Sequence, residues 1–177
     1  PTVNTIYQSF FEIRTQTAAL GPKFVGFRNY VKAFQDEHFW DTLWWTLAFT
    51  AVSVALELII GMGLALLMNR KIPGQGLIRT AVLIPWGIPT VVSGIIWTQF
   101  FAQNGIVNST LAAFNLIKEP LSWLGNEWLA KLSILIADVW KNTPYMSLLL
   151  LSGLLTISRD YYEAAEIDGA GKFRQFT

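Results

Sequence analysis

Three stretches of this chain are long and apolar enough to cross a lipid bilayer, and they constrain its fold more than any other feature. At 1.5 Å per residue, a helix needs about 20 mostly apolar residues to span the hydrocarbon core. Residues 43–68 meet that need with one charge, Glu57. Residues 81–101 carry no charge but contain Pro85 and Pro89, and residues 132–157 carry Asp138 and Lys141 near one end and Pro144 inside. Lipid offers backbone N–H and C=O groups no partner, so segments of this kind are helical. The fold class expected is all-α, a polytopic transmembrane helical bundle with a core over 43–157. A proline inside such a helix is tolerated where neighbours satisfy the freed carbonyl, and it marks a kink.

Composition agrees. Of 177 residues, 53% are hydrophobic and 14% charged, against about 25% charged in an average soluble domain. That excludes a disordered tail, a nucleic-acid arm and most ordinary soluble enzymes. A net charge of +1 gives no reason to expect nucleic acid as a partner. With no cysteine, disulfides, zinc ribbons and thiol catalysis are excluded. His38 is the single histidine, so no metal site and no catalytic residue is assigned. Eight tryptophans suit a membrane–water interface. The chain opens at Pro1 without a signal peptide and stops at Phe176-Thr177 without a terminator for its last helix, so we expect part of a longer protein.

Basic residues set the orientation. The link 69–80 holds Arg70, Lys71 and Arg79 and no acid, whereas 102–131 balances Lys118 and Lys131 against Glu119 and Glu127. The positive-inside rule therefore puts 69–80 and 158–177 on the cytoplasmic side. Residues 1–42 fall outside, as the end of an earlier helix plus an extracytoplasmic amphipathic segment. There Tyr30, Val31 and Phe34 recur at helical spacing among Lys32, Gln35 and Asp36. This segment is a helix lying in the interface or a loop packing its aromatics on the helices.

Polar residues inside the spans are the functional candidates, because an ionisable group in hydrocarbon is expensive. Thr46, Thr50, Ser53, Glu57, Gly61 and Ala65 form one stripe at steps of three or four, the pattern of a helix–helix contact with hydroxyls bonding across. Glu57 reads as an interhelical hydrogen bond or a protonated acid, with a substrate or coupling role as the alternative. Asp138, Asn142 and Tyr145 share a helical face at i, i+4 and i+7, and Lys141 can reach Asp138 at i−3. With Trp140 nearby, that face suits a neutral polyhydroxy solute: amide and carboxylate bond hydroxyls, and a ring stacks on the apolar side of a sugar. Equally, it reads as a wet helix end at the interface. Pro85, Pro89, Ser93 and Trp97, at steps of four, read first as a packing face beside a bend and otherwise as a kinked, pore-facing helix.

The tail 158–177 carries the sharpest local signal. Asp160 with Glu163 three residues on matches a capping box, and Gly169 supplies a C-terminal stop. A helix of about two turns is unstable alone in water and needs a partner surface. Ala164, Ala165 and Gly169 keep it slim enough for a groove.

Glu163-Ala164-Ala165-x-x-Asp168-Gly169-Ala170, with Phe176 six residues on, resembles the EAA signature of permease subunits of bacterial ABC importers. Phe24-Val25-Gly26-Phe27-x-Asn29-Tyr30, the Pro85/Pro89 pair and Trp140-Lys141-x-Thr143-Pro144-Tyr145 resemble elements of the carbohydrate-uptake branch, the maltose/trehalose-type permeases. The resemblance runs from about Phe24 to the end. It implies the type I ABC importer bundle, seen here in part. Glu163, Ala164, Ala165, Asp168, Gly169 and Ala170 would then form the cytoplasmic coupling helix that docks on an ATPase. Residues matching Asp138, Asn142 and Tyr145 line the sugar site of related maltose permeases, and of these the tyrosine matches in type.

No Gly-x-x-x-x-Gly-Lys-[Ser/Thr] loop occurs in the chain, so no cofactor is expected here; ATP and Mg would belong to a partner ATPase. The resemblance also implies a second homologous permease subunit, two ATPase subunits, an extracytoplasmic solute-binding protein and a di- or oligosaccharide substrate, in a bacterial cytoplasmic membrane. The loop 102–131, with Trp123 and Trp128, is the expected contact for the solute-binding protein or else a lid on the membrane. The alternatives are a permease for another solute (polyol, glycerol-phosphate or phosphonate), a proton-coupled carrier, or a membrane-embedded enzyme using Asp138 and Glu57 as acid and base.

Overall fold

The computed structural model describes residues 2–12, 21–70 and 73–176; Lys71 of the basic link, Pro1 and Thr177 lie outside them. The chain divides into two compact units, 1–50 and 51–177.

In the first unit, helix α1 (Thr2–Ser9) leads to a two-stranded antiparallel pairing of β1 (Phe11–Glu12) with β2 (Lys23–Phe24). Helix α2 (Arg28–Gln35) packs back on them. The Asn29 side-chain amide donates to the carbonyls of Ser9 and Phe11, and Arg28 pairs with Glu12 at 2.8 Å. The amphipathic segment is thus a helix, and its aromatics pack locally: Tyr30 beside Phe10 and Phe27, Phe34 beside Phe39 and Trp40. Helix α3 (Glu37–Asn69) starts at once, with Asp36 accepting from the His38 N–H at 3.0 Å. Its 33 residues extend about 50 Å.

The second unit contains the rest of α3, then α4 (Gln75–Gly87), α5 (Thr90–Phe100), α6 (Ile106–Ala113), α7 (Glu127–Thr156), α8 (Arg159–Ile167) and α9 (Lys172–Phe176). Among the described residues, α3 is the one helix that by itself is both long and apolar enough to cross a membrane. Residues 81–101, read from sequence as one stretch, are two helices meeting at 90°. The reason is covalent. Pro89 has no N–H to continue the ladder and pushes Ile88 into extended backbone, where its φ is −74° and ψ 132°. Helix α7, by contrast, runs unbroken through Pro144 for 30 residues, with Asp138, Lys141, Asn142 and Thr143 grouped near its middle. Its start is capped by Asn126, whose carbonyl oxygen accepts from the N–H groups of Trp128 and Leu129. A hydrogen bond from Lys131, and the charge behind it, hold the Glu127 carboxyl below the usual range.

The stripe on α3 is largely the buried one. Ser53, Glu57, Gly61, Ala65 and Met68 are its buried residues. Thr46 and Thr50 are exposed, and each donates its hydroxyl to the carbonyl one turn back in α3. At Gly61 α3 comes close to α7: a Cβ added there would sit 3.2 Å from Met146 Cγ and 3.3 Å from the backbone N of Ser147. Small residues permit that approach. Toward the ends of both helices Ala65, Met68 and Leu151 form a small core, with Ile78, Val82, Leu150 and Leu154 against it. We predict that Gly61→Leu destabilises the fold by about 1–3 kcal/mol through overpacking, read as a lower melting temperature of the purified protein in detergent, while Gly61→Ala costs much less.

Candidate functional site

The break between α4 and α5 positions the candidate site. Because α5 turns away at Pro89, its first turns face the middle of α7, and a cavity of about 330 Å³ lies between them. Small-molecule sites occupy roughly 300–1,000 Å³. Its walls include Ser93 and Trp97 from α5 and Ala137, Asp138 and Lys141 from α7. Two buried polar atoms of these residues, Ser93 Oγ and Trp97 Nε1, make no hydrogen bond among the described residues. Buried donors and acceptors are normally paired, so this wall holds polar groups that the chain itself leaves unmet. Ser93 and Trp97 carry that signal in sequence only as a periodic stripe; their role needs the bend.

Asp138, Asn142, Tyr145 and Trp140 do not form one cluster. Asp138 lines the cavity and accepts from the Asn142 amide at 2.9 Å. Tyr145, half exposed, stacks on Trp86 of α4 with ring centroids 5.9 Å apart and planes 14° apart. Trp140 points elsewhere: it packs edge-on against Trp97 at 5.5 Å and lines an apolar cleft of about 600 Å³ among α3, α4 and α7. The expected link from Lys141 to Asp138 is replaced. Lys141 Nζ donates to the carbonyls of Pro85 and Trp86, each at 3.1 Å, and of Ile88.

An aromatic ladder continues from the cavity into the loop. Trp97 stacks on Phe101 at 5.4 Å, and Phe101 meets Trp123 at 5.3 Å. Trp123 is buried, so this side chain is not presented to a partner as its loop position suggested; Trp128, beneath the Lys131 ammonium, is exposed. Buried Asn108, at the centre of the loop, was not legible from sequence. Its amide donates to the carbonyls of Ala102, Gln103 and Leu121, and its oxygen accepts from Leu121 N and Trp123 Nε1.

At the other end of α7 the chain turns directly into α8. Ser158, rather than Asp160, is the N-cap, accepting from the Asp160 N–H at 3.3 Å. The C-terminus closes as a Schellman motif: Ala170 N donates to Ala165 O, Gly169 N to Glu166 O, and Gly169 has φ +77°. Gln175 of α9 then bonds the Ala170 carbonyl at 2.9 Å. Glu163, Ala164 and Asp168 are exposed and Ala165 and Ala170 half-buried, with exposed Tyr161 and Ile167 on the same short helix. No exposed apolar side chain of α8 has a cover in this chain alone.

Comparison with known proteins agrees with this geometry. Residues 57–177 match the family described as binding-protein-dependent transport system inner membrane component. The chain belongs to that family. It is 44% identical over 154 residues to the trehalose/maltose transport system permease protein of Thermococcus litoralis, covering 86% of this chain and 52% of the relative. It is 39% identical over 177 residues to the sulfoquinovosyl glycerol transport system permease protein of Agrobacterium fabrum, covering 99% and 56%. The fold matches a bacterial alginate ABC transporter, crystallised with an alginate pentasaccharide-bound periplasmic protein, at a TM-score of 0.73 and 24% identity over 86% of this chain and 53% of that one. The chain spans about half the length of the curated relatives it matches. The protein is thus a membrane protein of the all-α importer-permease fold, as its resemblance to the carbohydrate-uptake permeases implied.

Replacing Asn108 by Ala removes the partners of three carbonyls, one N–H and the Trp123 indole. We predict a loss of about 2–4 kcal/mol, measured by thermal melting, together with faster proteolysis within 102–126.

Proposed function

We propose that this chain forms one side of the translocation pathway of an ATP-driven sugar importer and couples to a separate ATPase through α8. The observation that carries the reading is the continuity of α7. One unbroken helix holds Asp138 at the cavity and ends at Thr156, two residues before Ser158, the cap of the exposed helix α8.

Each part then has a task. Ser93 Oγ, Trp97 Nε1 and the Asp138–Asn142 pair offer donors and acceptors to sugar hydroxyls, and the Trp86–Tyr145 stack offers a flat apolar platform to a pyranose ring. Trp140 holds Trp97 in place from behind. On α8, Glu163 anchors in a groove of the ATPase, Ala164 and Ala165 allow close approach, and Asp168, Gly169 and Ala170 form the turn that ends it. ATP binding, with Mg, closes the ATPase pair; α8 moves as a rigid body, and the helices rock to expose the cavity to the other side. A second permease subunit completes the pathway, since the Asn142–Tyr145 face is open in this chain. An extracytoplasmic solute-binding protein delivers a di- or oligosaccharide. Residues 69–80 and 158–177 face the cytoplasm of a bacterial cell. An anionic solute such as glycerol-phosphate or a phosphonate is the weaker reading, because Lys141, the cation lining the cavity, has its donors on backbone carbonyls.

The test is uptake of labelled sugars by the full complex in proteoliposomes. Glu163→Arg is expected to keep assembly and sugar binding and to abolish ATP-driven uptake; undiminished uptake would overturn the coupling role. Ser93→Leu, which fills the cavity and removes its hydroxyl, is expected to raise the half-saturating sugar concentration about tenfold, the equivalent of about 1.4 kcal/mol. An unchanged value would remove Ser93 from the pathway.

A further inference from the structure

The break between α4 and α5 takes the carbonyls of Pro85, Trp86 and Ile88 out of the helical ladder. Pro89 has no N–H, so the Pro85 carbonyl four residues earlier has no helical partner whatever the conformation. The 90° turn carries the N–H groups of Thr90 and Val92 away from the carbonyls of Trp86 and Ile88. Where water is excluded, open carbonyls are costly and must be met from within the protein. One side chain meets all three. Lys141 Nζ, on α7 and more than fifty residues away in sequence, donates to Pro85 O and Trp86 O at 3.1 Å and to Ile88 O.

The ammonium has no donor to spare. It has three N–H donors and no acceptor, and each goes to a carbonyl of the break. None is left for Asp138, which takes its hydrogen bond from Asn142 instead. The charge sits at the C-terminal end of α4, where the helix dipole favours a cation. An arginine would present its donors in a flat fork, which does not converge on three carbonyls around one point.

We propose that Lys141 is a positioning residue that pins the α4–α5 break to the middle of α7, so that both walls of the cavity travel together when α7 moves. The motion rests on the transport reading above; the pinning does not.

The test measures the bend directly in the full complex, without sugar or nucleotide. Cysteines replace the exposed residues Leu77 on α4 and Val91 on α5, in a chain that has none of its own; in the rest of the complex any native cysteines are removed. Spin labels there give a distance distribution by pulsed electron paramagnetic resonance. The parent is expected to show one narrow distance, and Lys141→Met a displaced distribution about twice as wide. Adding Pro89→Ala to Lys141→Met is expected to narrow it again, because the restored N–H takes over the Pro85 carbonyl. An unchanged distribution in Lys141→Met overturns the proposal. So does a widened one that Pro89→Ala leaves as it is, since loss of packing would then be the cause. If Lys141→Met fails to assemble, Lys141→Gln keeps two donors without the charge and is expected to give an intermediate width; a parental width again overturns it. Because no transport is read, failure of the coupling experiment leaves this result standing, and the reverse.

Discussion

A membrane protein cannot leave a backbone carbonyl open to lipid, and the second unit of this chain is arranged around one place where it would otherwise do so. Pro89 ends α4, and the apolar stretch 81–101 turns there through 90°, where Lys141 of α7 brings an ammonium to carbonyls that the turn takes out of the helical ladder. Everything of functional interest lies along that junction. The cavity exists because α5 diverges from α4; Ser93 and Trp97 reach it because they lie on the first turns after the break; Asp138 reaches it because it sits one turn from Lys141 on α7. A charge within a span usually points to ligand chemistry. Here one such charge is structural, and it leaves the adjacent carboxylate to the cavity.

Around this junction the packing uses two means suited to a lipid environment. On α3, small and polar residues at Ser53, Gly61 and Ala65 let two backbones approach where burial of bulky side chains gives little advantage over lipid. On the other side of α7, Trp140, Trp97, Phe101 and Trp123 stand in succession from the helix to the loop, where Asn108 closes the chain on itself. The loop is therefore built from the same rings that line the cavity rather than laid over it.

What could be read from the sequence follows from the range of each rule. The buried stripe of α3 was legible because it is a periodicity within one helix, from Ser53 through Glu57 and Gly61 to Ala65. The stop of α8 at Gly169 was legible because its φ of +77° is a local demand that glycine meets; the cap was misplaced by two residues because Ser158 and Asp160 are both competent caps. The Lys141 contacts were not legible. Spacing sees only neighbours one turn away, and so it offered Asp138, whereas the true partners are 53 to 56 residues distant. Trp140 follows the same logic: two residues from Asp138 in sequence, it lies 200° round the helix from it and packs against Trp97. Asn108 gave no signal, since a lone asparagine on the short helix α6 is ordinary until Leu121 and Trp123 are folded onto it.

The continuity of α7 through Pro144 has a mechanical consequence. Asp138 lies twenty residues before Ser158, about 30 Å along the axis. A rod of that length, tilted by about 10° at the end beside α8, sweeps its far point through about 5 Å, close to the rise of one helical turn. Small angular changes at the short helix α8 are thereby magnified into displacements the size of a hydroxyl-bearing ring. A hinge at Pro144 would have absorbed them instead.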